Sequence, residues 1–336
     1  MKGLVACALF VCYETFTGNL QVSYMHLQNG LRIITRESRR SHVPKDILQV
    51  FKRLELQAVS FGDTRVPDPG TYNGNPIDLE LWDPKPLGST CIDDSIDVVL
   101  HLFKWLFCKM GGSGSCPISP EDLKAATQAL ERWNTDIEPL FRVTDTKRNN
   151  QMQRSMILLR IYQIIMTVII ATGVHGRETL HDHYLRDYQE VVDLANKLLL
   201  GDLTRSGRQF FCFDIGIIFP LHWVATKCRE SKTRRRAAQL LGDMNHQEGA
   251  WKSTAAAKVA DFVIMIEEEG LPSGGVQPHE VPEAARVHLV DSRADTKTGD
   301  ILLNCWLKSD YEVWYIRKGR VTVTGELLTV EWLVRR

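Results

Sequence analysis

No two of the eight cysteines in this chain form a C-x-x-C pair. Cys7, Cys12, Cys91, Cys108, Cys116, Cys212, Cys228 and Cys305 scatter over the whole length, whereas structural zinc needs close-spaced ligand pairs to reach tetrahedral geometry. No metal ligand is assigned. Their dilution over 336 residues also argues against a disulfide scaffold. They read as reduced thiols of an intracellular protein, packed as small hydrophobes. Net charge is lacking too: 41 Lys and Arg balance 41 Asp and Glu, so nothing pulls the whole chain toward DNA or a membrane surface. The densest basic runs, Arg36 to Arg40 and Lys232 to Arg236, are short and read as solvated helix ends or the wet face of an amphipathic helix. G-x-S-x-G, H-E-x-x-H, P-loop and G-x-G-x-x-G patterns are all missing. Gly111-Gly112-Ser113-Gly114 has the glycines of a phosphate cradle without its strand or lysine. No catalytic residue and no cofactor follow from these patterns.

What the chain does have is the composition of a globular protein, 44% hydrophobic and 24% charged. Two apolar runs imitate export or membrane signals. Gly3 to Tyr13 follows a single lysine and is followed by no A-x-A site, which argues against a secretory leader. Met156 to Val174 is long enough for a bilayer, but Arg160 and Gln163 inside it would be costly there. That run reads as the buried helix of an all-helical core, with no membrane partner.

Helical periodicity accounts for most of the rest. Two helices are expected between Val5 and Ile34, joined at Thr17-Gly18-Asn19, with Gly18 and Gly30 letting them approach as an antiparallel hairpin. Further helices are expected at Pro44–Val59, Ile92–Lys109, Glu121–Leu140, Asn149–Ala171, His181–Leu200, Gly216–Cys228, Lys232–Asp243 and Ser253–Glu269. Pro67, Pro69, Pro76, Pro84 and Pro86 make residues 60–90 a long loop, and Gly111 to Pro117 reads as a flexible break. After Gly270 short strands are expected at 286–290, 301–307, 312–316, 321–324 and 327–333. The fold class is therefore all-α, an array of packed antiparallel helix pairs over residues 1–272, with a small antiparallel β appendage over 273–336.

Three local patterns carry possible chemistry, each with a plainer reading. Asp93-Asp94-Ser95-Ile96-Asp97 matches the magnesium-binding D-D-x-x-D of isoprenoid-diphosphate enzymes, whose carboxylates lie one turn apart. That chemistry needs a second metal motif, which is missing, and acids at a helix start are favoured anyway. His181-Asp182-His183 would need a third metal ligand and reads as a solvated helix terminus. His175 reads as a helix-end residue.

The longest signal runs from Phe210 to Gly270. Phe213-Asp214-Ile215-Gly216 and Pro220-Leu221 lead into Lys227-Cys228-Arg229, the basic run Arg234 to Arg236, Glu248-Gly249-Ala250-Trp251 and a helix ending in Glu267-Glu268-Glu269-Gly270. This order resembles the C-terminal regulatory region of fungal zinc-cluster transcription factors. In that family Leu4 to Asn19 and His26 to Ile34 would correspond to a tetratricopeptide-like helix pair. The family reads DNA through an N-terminal cluster of six cysteines binding two zinc ions, and no residue here matches those ligands. The resemblance implies a nuclear regulator lacking its own DNA reader and acting through protein–protein contact. Its partners would be other transcription factors or the transcription machinery, by homo- or heterodimerisation with a complete factor or by competing for that factor's partner. A secondary-metabolite or nutrient gene cluster is the implied target. Two alternatives stand beside it: a fragment of a complete DNA-binding factor, and a helical isoprenoid-diphosphate enzyme using Asp93, Asp94 and Asp97.

Overall fold

A computed structural model describes residues 2–37, 43–60, 92–111, 119–142, 150–173, 177–202, 210–212, 216–272, 275–295, 298–309, 313–322 and 327–334. Of the expected loop at 60–90 and break at 111–117, Ser60 ends α3 and Gly111 ends α4, while the rest of both, and His175, lie outside the described residues. Among those described, ten helices appear, close to where periodicity places them. The first half holds α1 (Lys2–Thr17), α2 (Leu20–Glu37), α3 (Lys45–Ser60), α4 (Ile92–Gly111) and α5 (Pro120–Arg142). Then come α6 (Asn150–Thr172), α7 (Leu185–Asp202), α8 (Ile218–Lys227), α9 (Ser231–Met244) and α10 (Ser253–Glu267). Each packs against the next in sequence, as an array of helix pairs requires. A 3-10 segment, Glu178–Tyr184, precedes α7.

Local signals explain several ends. Ser119 accepts from the Asp122 amide at 3.0 Å to cap α5, with Pro120 at the first helical position. Asn245 closes α9 in the left-handed region, φ 44°. Pro220 sits in the first turn of α8, where its missing N–H is not needed. Gly18 turns α1 into α2 with φ 87°. Gly30, expected to bring α1 and α2 together, instead faces the Phe51 ring of α3.

Three cores result among the described residues. The largest gathers α4 to α10 around α6, whose Ile161, Ile165, Met166 and Val168 are sealed from solvent. By length and composition α6 could cross a membrane. The charge near its midpoint is neutralised laterally: Arg160 forks onto Glu190 of α7 and donates to Gln163, which donates to Asn134 of α5. A smaller core joins α1, α2 and α3. The third lies between α10 and a four-stranded antiparallel meander, β4 (Val287–Ala294), β5 (Ile301–Lys308), β6 (Trp314–Val321) and β7 (Leu327–Val334).

The sequence reading divides β6 into two strands because Arg317-Lys318-Gly319-Arg320 looks like a turn. The strand runs through it, and Gly319 is there because the Phe262 ring of α10 occupies the space of its missing side chain. A second sheet was not anticipated. β1 (Phe210–Cys212) pairs in parallel with β2 (His246–Glu248), which turns at Gly249-Ala250 into β3 (Trp251–Lys252). Strands of two or three residues leave no alternation to read.

Candidate functional site

The segment from Lys227 to Glu230 makes a sharp corner. α8 ends at Lys227, Cys228 is extended, and the Glu230 carboxylate accepts from the Thr233 amide to start α9. This corner, with the next turn of α9, delivers Lys227, Arg229 and Arg234 to one side, all buried. They meet the C-terminal end of α10, where the helix dipole favours cations and where Glu267 is buried as well. Arg229 reaches Glu267 at 2.8 and 3.2 Å and Glu178 of the 3-10 segment at 2.9 Å. Arg234 reaches Glu267 at 2.7 Å, and Lys227 reaches Glu178 at 2.7 Å.

The same cluster clasps the β-sheet. Lys227 donates to the carbonyls of Val287 and His288, and the Val287 amide donates to Glu267. Arg286, just before β4, forks onto Asp182 at 2.7 and 2.8 Å and donates to the carbonyls of Val281, Pro278 and Glu178. Glu283 returns the contact, accepting from the amides of Glu178 and Thr179. Helical body and sheet are thus held by groups more than 100 residues apart in sequence.

Mutual proximity sets the charges. Burial alone would raise the Glu178 carboxyl, but Lys227 and Arg229 hold it well below the ordinary range. Glu267 is likewise pushed up by burial and pulled below its usual value by Arg229 and Arg234. His181 is kept neutral, lowered to about 3 by burial and by the nearby cations against the pull of Glu178. Its Nδ1 lies 2.7 Å from the Tyr188 hydroxyl. Glu178 Oε2 and Arg234 Nη1 make ion-pair contacts at 2.9 and 3.5 Å without hydrogen-bond geometry, and His288 Nε2 lies 3.7 Å from Glu283. The cluster is cohesive because cations and carboxylates consume each other's charge, which leaves it no open cationic cradle for an anion.

A second buried acid works apart from the clasp. Glu248 of β2 accepts from the amides of Gly216, Ile217 and Ile218, the start of α8, at 3.0 to 3.1 Å. A Cβ on Gly216 would stand 2.1 Å from that carboxylate, so the glycine and the acid are complementary parts of one joint. Gly249 beside it has φ 54°, and a Cβ there would strike Gln57 of α3. The Tyr162 hydroxyl of α6 donates to the Gly216 carbonyl at 2.9 Å. Gly216, Glu248 and Gly249 of the quoted motif therefore assemble a junction between three helices and the small sheet.

Two sequence readings need correction here. The run Lys232 to Arg236 is only partly a wet face: Arg234 is 0% exposed and belongs to the clasp, while Lys232, Arg235 and Arg236 are exposed. His181-Asp182-His183 is only partly a solvated terminus: His181 is buried, Asp182 holds Arg286, and His183 alone is exposed. Among the described residues no group of three or more His, Cys, Asp or Glu is placed to hold a metal ion. Asp93, Asp94 and Asp97 lie in the first turns of α4. Two surface hollows among the described residues are lined without any part of α4. One of about 320 Å³ lies among Ser231, Arg235, Glu268, Leu271, Pro272 and Val276, and a narrow apolar one lies between α1, α2 and α3.

The chain is 21% identical over 384 aligned positions to the aspercryptin biosynthesis cluster-specific transcription regulator atnN of Emericella nidulans. The alignment covers 85% of this chain and 62% of that regulator, so the chain matches somewhat under two thirds of its relative's length. No protein-family model matches the chain, and no solved structure matches it.

Proposed function

We propose that this chain is a transcription regulator that acts by docking other proteins, in the nucleus, without chemistry of its own. The observation that carries the reading is the similarity to a cluster-specific transcription regulator along 85% of the chain. The geometry supports it in kind. The sequence motifs that stand out are spent on joints between elements, Glu248 at the start of α8 and Arg229–Glu267 at the end of α10, and not on lining a substrate cavity. The sequence holds no cysteine pair of zinc-cluster spacing. Specific DNA contact is therefore not proposed for these residues, and the 1–272 helical body and the 273–336 appendage are proposed to work as one docking unit. A gene cluster for a secondary metabolite is the target class that the relative's name suggests.

Deleting the gene and sequencing transcripts tests the reading. We expect a contiguous set of genes to change expression and to recover when the chain is supplied in trans. Unchanged transcripts on both deletion and overexpression would overturn it. Purified chain is expected to show no sequence-specific retention of duplex DNA at physiological salt, and specific binding by the chain alone would remove the partner-dependent part.

A further inference from the structure

α1 carries just two formal charges, Lys2 and Glu14, and is apolar on every face. A helix of that kind is normally covered all round. Here Leu4, Val11 and Thr15 are buried, while among the described residues most of the opposite face is exposed, with Phe16 meeting the Phe211 ring of β1 edge-on at 5.4 Å. Val5, Leu9, Phe10, Tyr13 and Phe16 are all exposed, Leu9 by 64% and Tyr13 by 62%. Phe10 stacks on His26 of α2 at 4.9 Å, and the apolar surface continues on that helix through Val22 and Met25. Seven large apolar side chains are thus exposed on two adjacent helices, where exposed apolar residues normally stand singly.

We propose that this face of α1 and α2 is the interface between two copies of the chain, paired about a two-fold axis with the α1 helices antiparallel. Two observations select a second copy. The chain carries no net charge, so two copies approach without long-range repulsion. The stripe is also self-complementary. Val5 and Leu9 occupy its first half, Tyr13 and Phe16 its second, at spacings of four, four and three that suit near-parallel helix packing. A two-fold axis level with Phe10 and Val11 sets Leu9 of each copy against Tyr13 of the other, and Val5 against Phe16. Every aliphatic then meets an aromatic, as an isologous contact requires. The proposal deepens the protein-docking reading above and rests on it.

Sedimentation of the purified full chain tests it. Wild type is expected to show a concentration-dependent monomer–dimer equilibrium. Leu9→Lys and Tyr13→Glu, both at exposed positions and checked for native melting, should each weaken dimerisation by about 100-fold, because each places an unpaired charge in a closed apolar contact. Mixing the two variants should restore the dimer, since the ammonium introduced in one copy then faces the carboxylate introduced in the other. That rescue depends on the antiparallel register. A monomeric wild type, or variants that do not recombine, overturns the interface. Loss of a different bound protein in Leu9→Lys without change in self-association would also overturn it. Transcript levels report on the regulator reading separately: a monomeric wild type that still restores expression sinks the interface alone.

Discussion

Arg229 and Glu267 face each other with both side chains shut off from water, joined by N–H···O contacts of 2.8 and 3.2 Å. Such a pair is a weak source of net stability, since desolvating both charges offsets much of their attraction. Removing one partner is another matter, because the survivor remains buried and uncompensated. Glu267 accepts from Arg229, Arg234 and the Val287 amide at once. Glu267→Gln keeps the shape and removes the charge, and is expected to cost about 3–5 kcal/mol of unfolding free energy in urea titrations. A loss under about 1 kcal/mol would mean that the clasp is not carrying uncompensated charge.

The neighbouring pair gives the contrast. Arg235 and Glu268 are also within hydrogen-bond reach, but the Arg235 side chain is half exposed. Exposed pairs are worth about 0–1 kcal/mol, further reduced by salt. Arg235→Ala should therefore shift the urea midpoint little, and less still at high salt. The two substitutions separate burial from distance as the cause of a strong effect.

How much of this was legible follows from which rules the sequence breaks. The helices read correctly because periodicity and caps agree, as at Ser119-Pro120. The clasp was readable only in part. Glu267-Glu268-Glu269 ends a helix with acids, against the dipole preference for cations there, a sign that cations must be supplied from elsewhere. Arg234 lies one turn before Ala237 and two turns before Leu241, both buried, so it falls on the buried face of α9. Glu178, Glu283 and Arg286 carried no local signal and Asp182 none that pointed to Arg286, since their partners are brought in by tertiary packing. The apolar face of α1 was visible as composition, but not which half of the helix would stay open.

Acid sensitivity follows from buried imidazoles. Burial, with Lys227 adding to it and the Ala256 carbonyl opposing it, lowers His222 to about 4 from the ordinary 6.5. The unfolded chain then takes up a proton that the folded chain refuses, so stability is present above pH 6.5 and is lost as pH falls toward 4. His222→Asn should reduce the slope of unfolding free energy in that window by up to about 1.4 kcal/mol per pH unit. Glu248 works in the opposite sense. Burial outweighs the three amides that oppose it and raises its carboxyl to about 7, so its contribution is complete below 4.5 and lost as pH rises through 7. Glu248→Gln should remove that component above pH 4.5. Parallel urea melts across the range from acid to neutral check both, and equal slopes in variant and wild type would refute the assignment.

The joint at Gly216 makes a prediction that only the pair can satisfy. A methyl group added at Gly216 meets the Glu248 carboxylate at 2.1 Å, so the acid must leave its three amide donors or α8 must shift. Gly216→Ala is expected to cost about 2 kcal/mol or more, a strain and lost-cap penalty. Glu248→Ala should cost a similar amount, because the amides of Ile217 and Ile218 are buried and lose their acceptor. If the cause is the collision, the costs cannot add: in the Glu248→Ala background the Gly216→Ala methyl finds the space empty and its penalty should fall below about 1 kcal/mol. A double-mutant cycle measured by thermal and urea unfolding decides it. Full additivity would show that Gly216 is needed for its backbone alone and that the two residues are not one joint.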